Sequence, residues 1–209
     1  MTAQRLTDLD LAALLCSRVC HDIISPVGAI ANGLELMDDP ETEAEMKITA
    51  LEMVRNSAKV ATAKLKFCRI AFGASGSAGA QIDMNEAGET AVNFVGNEKI
   101  KLVWRAPREN RPKQEVKLLL NMLLLAMAGI PRGGEITVDV DGQTFTVRAK
   151  GERAKLPVPI TDVVLNKVAL DAIDARLVQP YYARLLAESA GLTLSMVMDG
   201  EDTVEVKAA

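Results

Sequence analysis

The sequence predicts an α+β protein in two parts, an N-terminal antiparallel helical hairpin followed by an α/β sandwich. Three observations predict it. From Leu9 to Met37 there is no Gly or Pro before Pro26, and good helix formers dominate. The stretch GASGSAGA (73–80) is small and flexible, without a large apolar side chain, and reads as a linker. Beyond it, alternating β-rich runs meet at Asp141-Gly142 and again near Asp199-Gly200, the signature of hairpins.

Taken in order, the first helix covers 9–37. DDPET (38–42) breaks it, because Pro40 cannot continue a helix and Thr42 is of a type that caps the next one. The second helix, 43–72, carries Ala50, Val54, Ala58, Ala61, Leu65, Cys68 and Phe72 at spacings of three and four. A five-residue loop between helices of this length closes an antiparallel hairpin. This sets the hairpin at 1–74, the linker at 73–80 and the second domain at 81–209. There 83–97 reads as helix, 101–106 as strand, and 113–129 as a buried helix ended by Gly129 and Pro131. The hairpin of 135–151 follows, then helical patches at 162–176 and 180–190, then a second hairpin from Leu192. Helices interleaved with hairpins imply helices on one face of a mostly antiparallel sheet.

The 209 residues are about half apolar and carry a net charge of −4, which does not suggest a nucleic-acid surface. No apolar run approaches the roughly eighteen residues of a membrane span, and MTAQRLTDLDLAALL lacks a signal-peptide layout. A cytoplasmic protein without a membrane partner is therefore expected. The three cysteines, Cys16, Cys20 and Cys68, form no CxxC pair and suit a reducing compartment. Cys16, Cys20 and His21 make a poor metal set: Cys20 and His21 diverge by ~100° on a helix, and there is no second histidine.

His21 is the only histidine, and its setting is unusual. At 100° per residue, Ser17, His21, Ser25, Gly28 and Asn32 lie within ~40° of one another. Cys16, Val19, Ile23, Val27, Ile30, Leu34 and Met37 fall on the far side, spaced as a bundle seam. Small and polar neighbours leave the imidazole uncovered. Pro26 inside the helix costs ~3 kcal/mol and strips the Asp22 carbonyl of its helical donor. Gly28 and Gly33 weaken the helix further. Two readings stand: a helix shaped for chemistry at His21, or a kink wrapping the core beneath a solvated histidine. For chemistry, histidine is a nucleophile, Asp22 is typed to orient the ring or take its proton, and Arg18 can pair with Asp22 or meet phosphate oxygens. A reversible phosphohistidine fits this equipment, whereas a hydrolytic triad does not. One hairpin cannot cover its own seam, so a homodimer is expected, with packing against the second domain as the alternative.

HDIISPV (21–27) resembles the phospho-acceptor motif of two-component histidine kinases, with His21, Asp22, Pro26 and Val27 matching and Ser25 standing where Thr or Asn is usual. The hairpin resembles their dimerisation and phosphotransfer domain, which pairs into a dimeric four-helix bundle. The second domain resembles the kinase ATP-binding fold in degenerate form. LLLNMLLLAM keeps Asn121 and Ala126, but Leu125 replaces the second asparagine. In VRAKGERA, Ala149 stands where the adenine-binding Asp belongs and Arg153 where a glycine belongs, while LVQP (177–180) replaces the phosphate lid. Nearly all of the chain is thus similar to the histidine phosphotransferases of alphaproteobacterial cell-cycle signalling.

The resemblance implies that His21 takes a phosphoryl group from the receiver domain of a hybrid kinase and passes it to receivers of response regulators, without ATP. Mg²⁺ would come with the receiver, and the chain would hold no cofactor or metal of its own. Asp22, Arg18 and Ser25 would assist His21, while Ser17, Gly28, Ala29 and Asn32 would form the nearest docking face. An active kinase with diverged ATP motifs, a non-catalytic dimeric adaptor, and a receiver phosphatase are the alternatives.

Overall fold

The computed structural model describes residues 5–73, 80–96 and 99–209. The expected linker therefore lies for the most part outside the described residues. The first helix, α1 (Asp8–Asp38), begins where the Thr7 side chain accepts from the Asp10 N–H, with Asp8 and Asp10 favourably placed in its first turn. The second helix, α2 (Ala44–Ala71), starts at Glu43 without a side-chain cap, so Thr42 does not play the capping part its type suggested. The two helices pack as the expected hairpin.

The rest of the chain runs β1 (Gln81–Asp83), α3 (Met84–Val95), β2 (Ile100–Arg105), β3 (Asn110–Pro112), α4 (Lys113–Gly129), β4 (Gly134–Asp141) and β5 (Thr144–Lys150). It continues with α5 (Val158–Val164), a 3-10 turn (Leu170–Ala172), α6 (Val178–Ser189), β6 (Leu194–Met198) and β7 (Thr203–Ala208). The main sheet has the order β2-β4-β5-β7-β6. Its pairings are antiparallel except β2 with β4, which is parallel. Val147, Ala149, Val204, Val206 and Ala208 point into the core beneath α4, while Arg148 and Lys207 of the same strands face water. The polar outer face carries ion pairs such as Arg148–Glu205 at 2.6 Å. One sheet face is covered by helices and the other is solvated, as the alternation predicts.

Three departures have physical reasons. The patch 162–176 is not one helix: α5 ends at Leu165, and Asn166 takes a left-handed φ of 56° that a helix cannot continue through. Asp174 then accepts from the Arg176 and Leu177 N–H groups and starts the chain into α6. β1 and β3 pair as a small two-stranded sheet, too short at three residues each to leave a pattern in the sequence. Finally, α1 is by length and composition apolar enough to cross a membrane, with a mean hydropathy of 1.3 over its best window. That differs from the reading of short apolar runs, because small residues between the leucines raise the average.

Two cores organise the molecule. The larger one joins α4, the sheet, α3 and the last turn of α2, where Phe67 stacks on Phe94 with ring centroids 4.0 Å apart. The smaller one joins Leu11, Leu14 and Leu15 of α1 to Val163, Ile173, Val178 and Tyr181. The Tyr181 hydroxyl accepts from the Leu6 N–H at 3.0 Å, and Arg5 pairs with Glu188 at 2.9 Å. The start of α1 and the last turn of α2, at the open end of the hairpin, are thus both tied to the sheet region, and further along α1 Arg18 and Asp22 line a cleft.

Candidate functional site

His21 stands on the middle of α1 with its side chain 84% exposed. Ser17, Ser25 and Asn32 are exposed beside it, and Gly28 is half-buried with open space where a Cβ would point. The bare polar face read from the helical angles is therefore present in three dimensions. Gly33 has a different reason: a Cβ there would sit 2.6 Å from Val54 and 3.2 Å from the Ala50 carbonyl, so this glycine lets α1 and α2 approach closely. Ala29 is half-buried and lies towards this packed side rather than on the open one.

The seam is rotated from its expected position. Pro26 and Gly33 are the buried residues of α1, and Val19, Ile23, Ile30 and Met37 are half-buried. Cys16, Val27 and Leu34, also expected on the seam, are exposed, and so are Ile24 and Leu9. On α2, Ala58 and Leu65 are exposed as well, their expected places taken by Ser57 and Lys64. The hairpin therefore presents an apolar strip to solvent, about a quarter-turn from His21.

Asp22 lies on the other flank of His21. Its carboxylate accepts from Arg18 Nε at 2.9 Å, one turn earlier, and its second oxygen is 3.5 Å from His21 Nδ1. Nδ1 is thereby engaged, and Nε2 has no partner among the described residues. Arg18 and Asp22 are each about a third exposed and form one lip of a cleft of about 980 Å³. Lys64, Phe67 and Leu124 also line this cleft, as do the cations Lys99, Arg132 and Arg176. Cys68 beneath the lip has its thiol pushed up to about 11, by burial first and then by the Asp22 charge. Among the described residues no cluster of three His, Cys, Asp or Glu could hold a metal ion.

The second-domain positions singled out in the sequence are occupied by packing. Asn121 is fully buried, donating to the Ala71 and Lys117 carbonyls and accepting from Gln179. Leu125 and Ala149 are fully buried core side chains. Arg153 holds a φ of 59°, a backbone shape natural to glycine, without being one. Sequence reasoning missed Lys64 and the other cations that line the cleft, Lys99, Arg132 and Arg176. Only the hairpin register, which sets Gly33 against Ala50 and Val54, would have drawn Lys64 to Asp22.

The site is an exposed imidazole on the middle of a helix with a carboxylate beside it. Residues 84–202 match the family model for the histidine phosphotransferase C-terminal domain. A curated relative, protein phosphotransferase ChpT of Brucella abortus (strain 2308), is 46% identical over 203 residues, covering 95% of each chain. A solved bacterial phosphotransferase superposes with a TM-score of 0.89 at 41% identity, covering 99% of this chain and 98% of that one. The chain belongs to the histidine phosphotransferase family. It is a phosphotransferase.

Proposed function

We propose that the phosphoryl group passes through His21, in a two-component relay between aspartates of receiver domains. The observation that carries this reading is the exposed imidazole with Nδ1 held by Asp22 and Nε2 left open. In the forward step the Nε2 lone pair attacks the phosphorus of a receiver aspartyl phosphate. The P–O bond to the aspartate breaks and the carboxylate leaves as the anion. Nδ1 keeps its proton and donates it towards Asp22, whose charge balances the imidazolium that forms. The return to a second receiver aspartate reverses these bonds. Positioning supplies most of the acceleration, and the Mg²⁺ that neutralises the phosphoryl oxygens arrives with the receiver. Arg18 holds Asp22, and Ser17, Ser25, Gly28 and Asn32 leave a close approach open to the incoming domain.

The same reading makes the protein a homodimer in the cytoplasm. The apolar strip of Cys16, Ile24, Val27 and Leu34, with Ile48 and Leu65 of α2, is the surface that a second hairpin would cover in a four-helix bundle. His21 would stay open, since it lies about a quarter-turn away. The second domain, 81–209, is read as a degenerate kinase ATP-binding fold that takes no nucleotide. The commitment of Asn121 to structural hydrogen bonds and the apolar Leu125 and Ala149 support this.

The test is label transfer from a purified, radiolabelled phospho-receiver. Wild type is expected to acquire acid-labile, alkali-stable label, and His21→Ala to acquire none. Equal labelling of both proteins would end the His21 reading.

A further inference from the structure

The Asp22 carbonyl is the group that Pro26 leaves without a helical donor. It is not left open. Lys64 Nζ, from the facing turn of α2, donates to it at 3.2 Å in a part-buried position. A lysine so placed gives up side-chain freedom and part of its hydration, which an exposed helix face does not demand. The hydrogen bond therefore answers a specific vacancy in the α1 backbone, one residue from His21.

Lys64 is also close to the charges that orient the ring. Arg18 and Asp22 pair at 2.9 Å on the same lip of the cleft. The buried Cys68 thiol feels all three, raised by Asp22 and opposed by Arg18 and Lys64. Arg18 thus fixes the Asp22 carboxylate while Lys64 fixes its carbonyl, and both ends of the residue that holds His21 Nδ1 are pinned.

We infer that Lys64 is a positioning residue for phosphoryl transfer: its ammonium replaces the helical N–H missing at Pro26 and holds Asp22, and through it the His21 ring, in the orientation transfer needs. This rests on His21 being the acceptor. The pairing of a proline on one helix with a lysine on the other makes a definite prediction. Where Pro26 is replaced by alanine, the restored backbone N–H can take the Asp22 carbonyl and Lys64 becomes dispensable.

The experiment uses the full chain as Lys64→Met, Lys64→Arg, Pro26→Ala and the Lys64→Met/Pro26→Ala double variant. Single-turnover transfer is followed over a range of phospho-receiver concentrations. In parallel, ¹⁵N NMR reads the imidazole, which is unambiguous because the chain has one histidine. Lys64→Met is expected to lower the maximal transfer rate about tenfold, the size expected for a charged hydrogen bond, with the half-saturating receiver concentration unchanged. Its imidazole signals shift, and Lys64→Arg restores most of the rate. In the Pro26→Ala background the same substitution changes the rate by less than about twofold.

Four results would overturn the inference. An equal loss with and without Pro26, or a rise in half-saturating concentration alone, would mean that Lys64 meets the partner directly. A lowered melting temperature with unchanged transfer per folded molecule would mean that it only packs. Label on His21→Ala would instead sink the acceptor reading. The imidazole signals still decide the matter for Lys64 in that case, since unshifted signals in Lys64→Met would overturn its role.

Discussion

The hairpin and the sheet region solve burial in opposite ways. α4, with 17 residues, buries eleven of them, including two polar ones that find partners. α1, with 31 residues, buries Pro26 and Gly33 alone. The sheet region has closed its core, and its exposed large apolar side chains among the described residues are scattered ones such as Val92, Val158 and Val197. The hairpin is fastened near its open end, through Leu11, Leu14 and Leu15 of α1 and Phe67 and Ile70 of α2, and further along it is left uncovered on two sides. One open side is apolar and suits a second copy of the chain. The other is polar, carries His21, and suits a transient visitor. If the hairpin presents His21 to a receiver as proposed, it cannot finish its own core, whereas a region that serves as scaffold can.

The largest effect expected is in the closed core. Leu123→Asp places a charge at a fully buried position of α4 and should abolish cooperative unfolding of the sheet region, at a cost above about 4 kcal/mol. Circular dichroism melts read this directly. A variant that melted like wild type would contradict the packing described here.

The open apolar strip should respond differently to the same chemistry. Val27→Glu with Leu34→Glu, at positions 49% and 47% exposed, should leave the monomer folded and reduce the mass by light scattering to 22.4 kDa. A wild-type mass already at that value would show that the strip has another use.

Alkaline pH tests the junction between the two regions. The Cys68 thiol rises from 9.0 in the unfolded chain to about 11 in the fold, chiefly through burial. Below pH 9 both states are protonated and nothing is lost. Between pH 9 and 11 the unfolded thiol ionises while the folded one does not, so stability falls by about 2–3 kcal/mol across that window. Cys68→Ala should flatten this slope in urea titrations. An unchanged slope would place its origin elsewhere.

The smallest effects separate two glycines of one helix. Gly33→Ala drives a methyl into Val54 and the Ala50 backbone and should cost about 1–3 kcal/mol. Gly28→Ala meets open space and should stabilise the helix by up to about 1 kcal/mol, while placing a methyl on the face expected to receive the receiver. Loss of stability in both would mean that the His21 face is packed rather than open.

These contrasts also mark what the sequence could disclose. Local signals were legible: the helical face around His21, the break at Pro40, and the turns where Gly142 and Gly200 take positive φ. Of the candidate site residues, Ser17, His21, Ser25 and Asn32 lie together and exposed, and Arg18 with Asp22 beside them. What stayed hidden depended on distant partners. Periodicity places apolar residues on a face but does not say which neighbour covers it, so Val27, Leu34 and Leu65 read as seam although α2 and α1 leave them bare. The parallel pairing of β2 with β4 spans α4 and has no local mark. Lys64 carries no mark in the sequence, because the carbonyl it bonds lies 42 residues away.

The most direct test of the central claim offers the protein two phosphoryl donors separately: a labelled phospho-receiver, and labelled ATP with Mg²⁺. The account predicts that label reaches His21 from the receiver within the mixing experiment, as located by mass spectrometry, and that none arrives from ATP. Label acquired from ATP would contradict it, and would mean that the second domain works as a kinase despite Leu125 and Ala149.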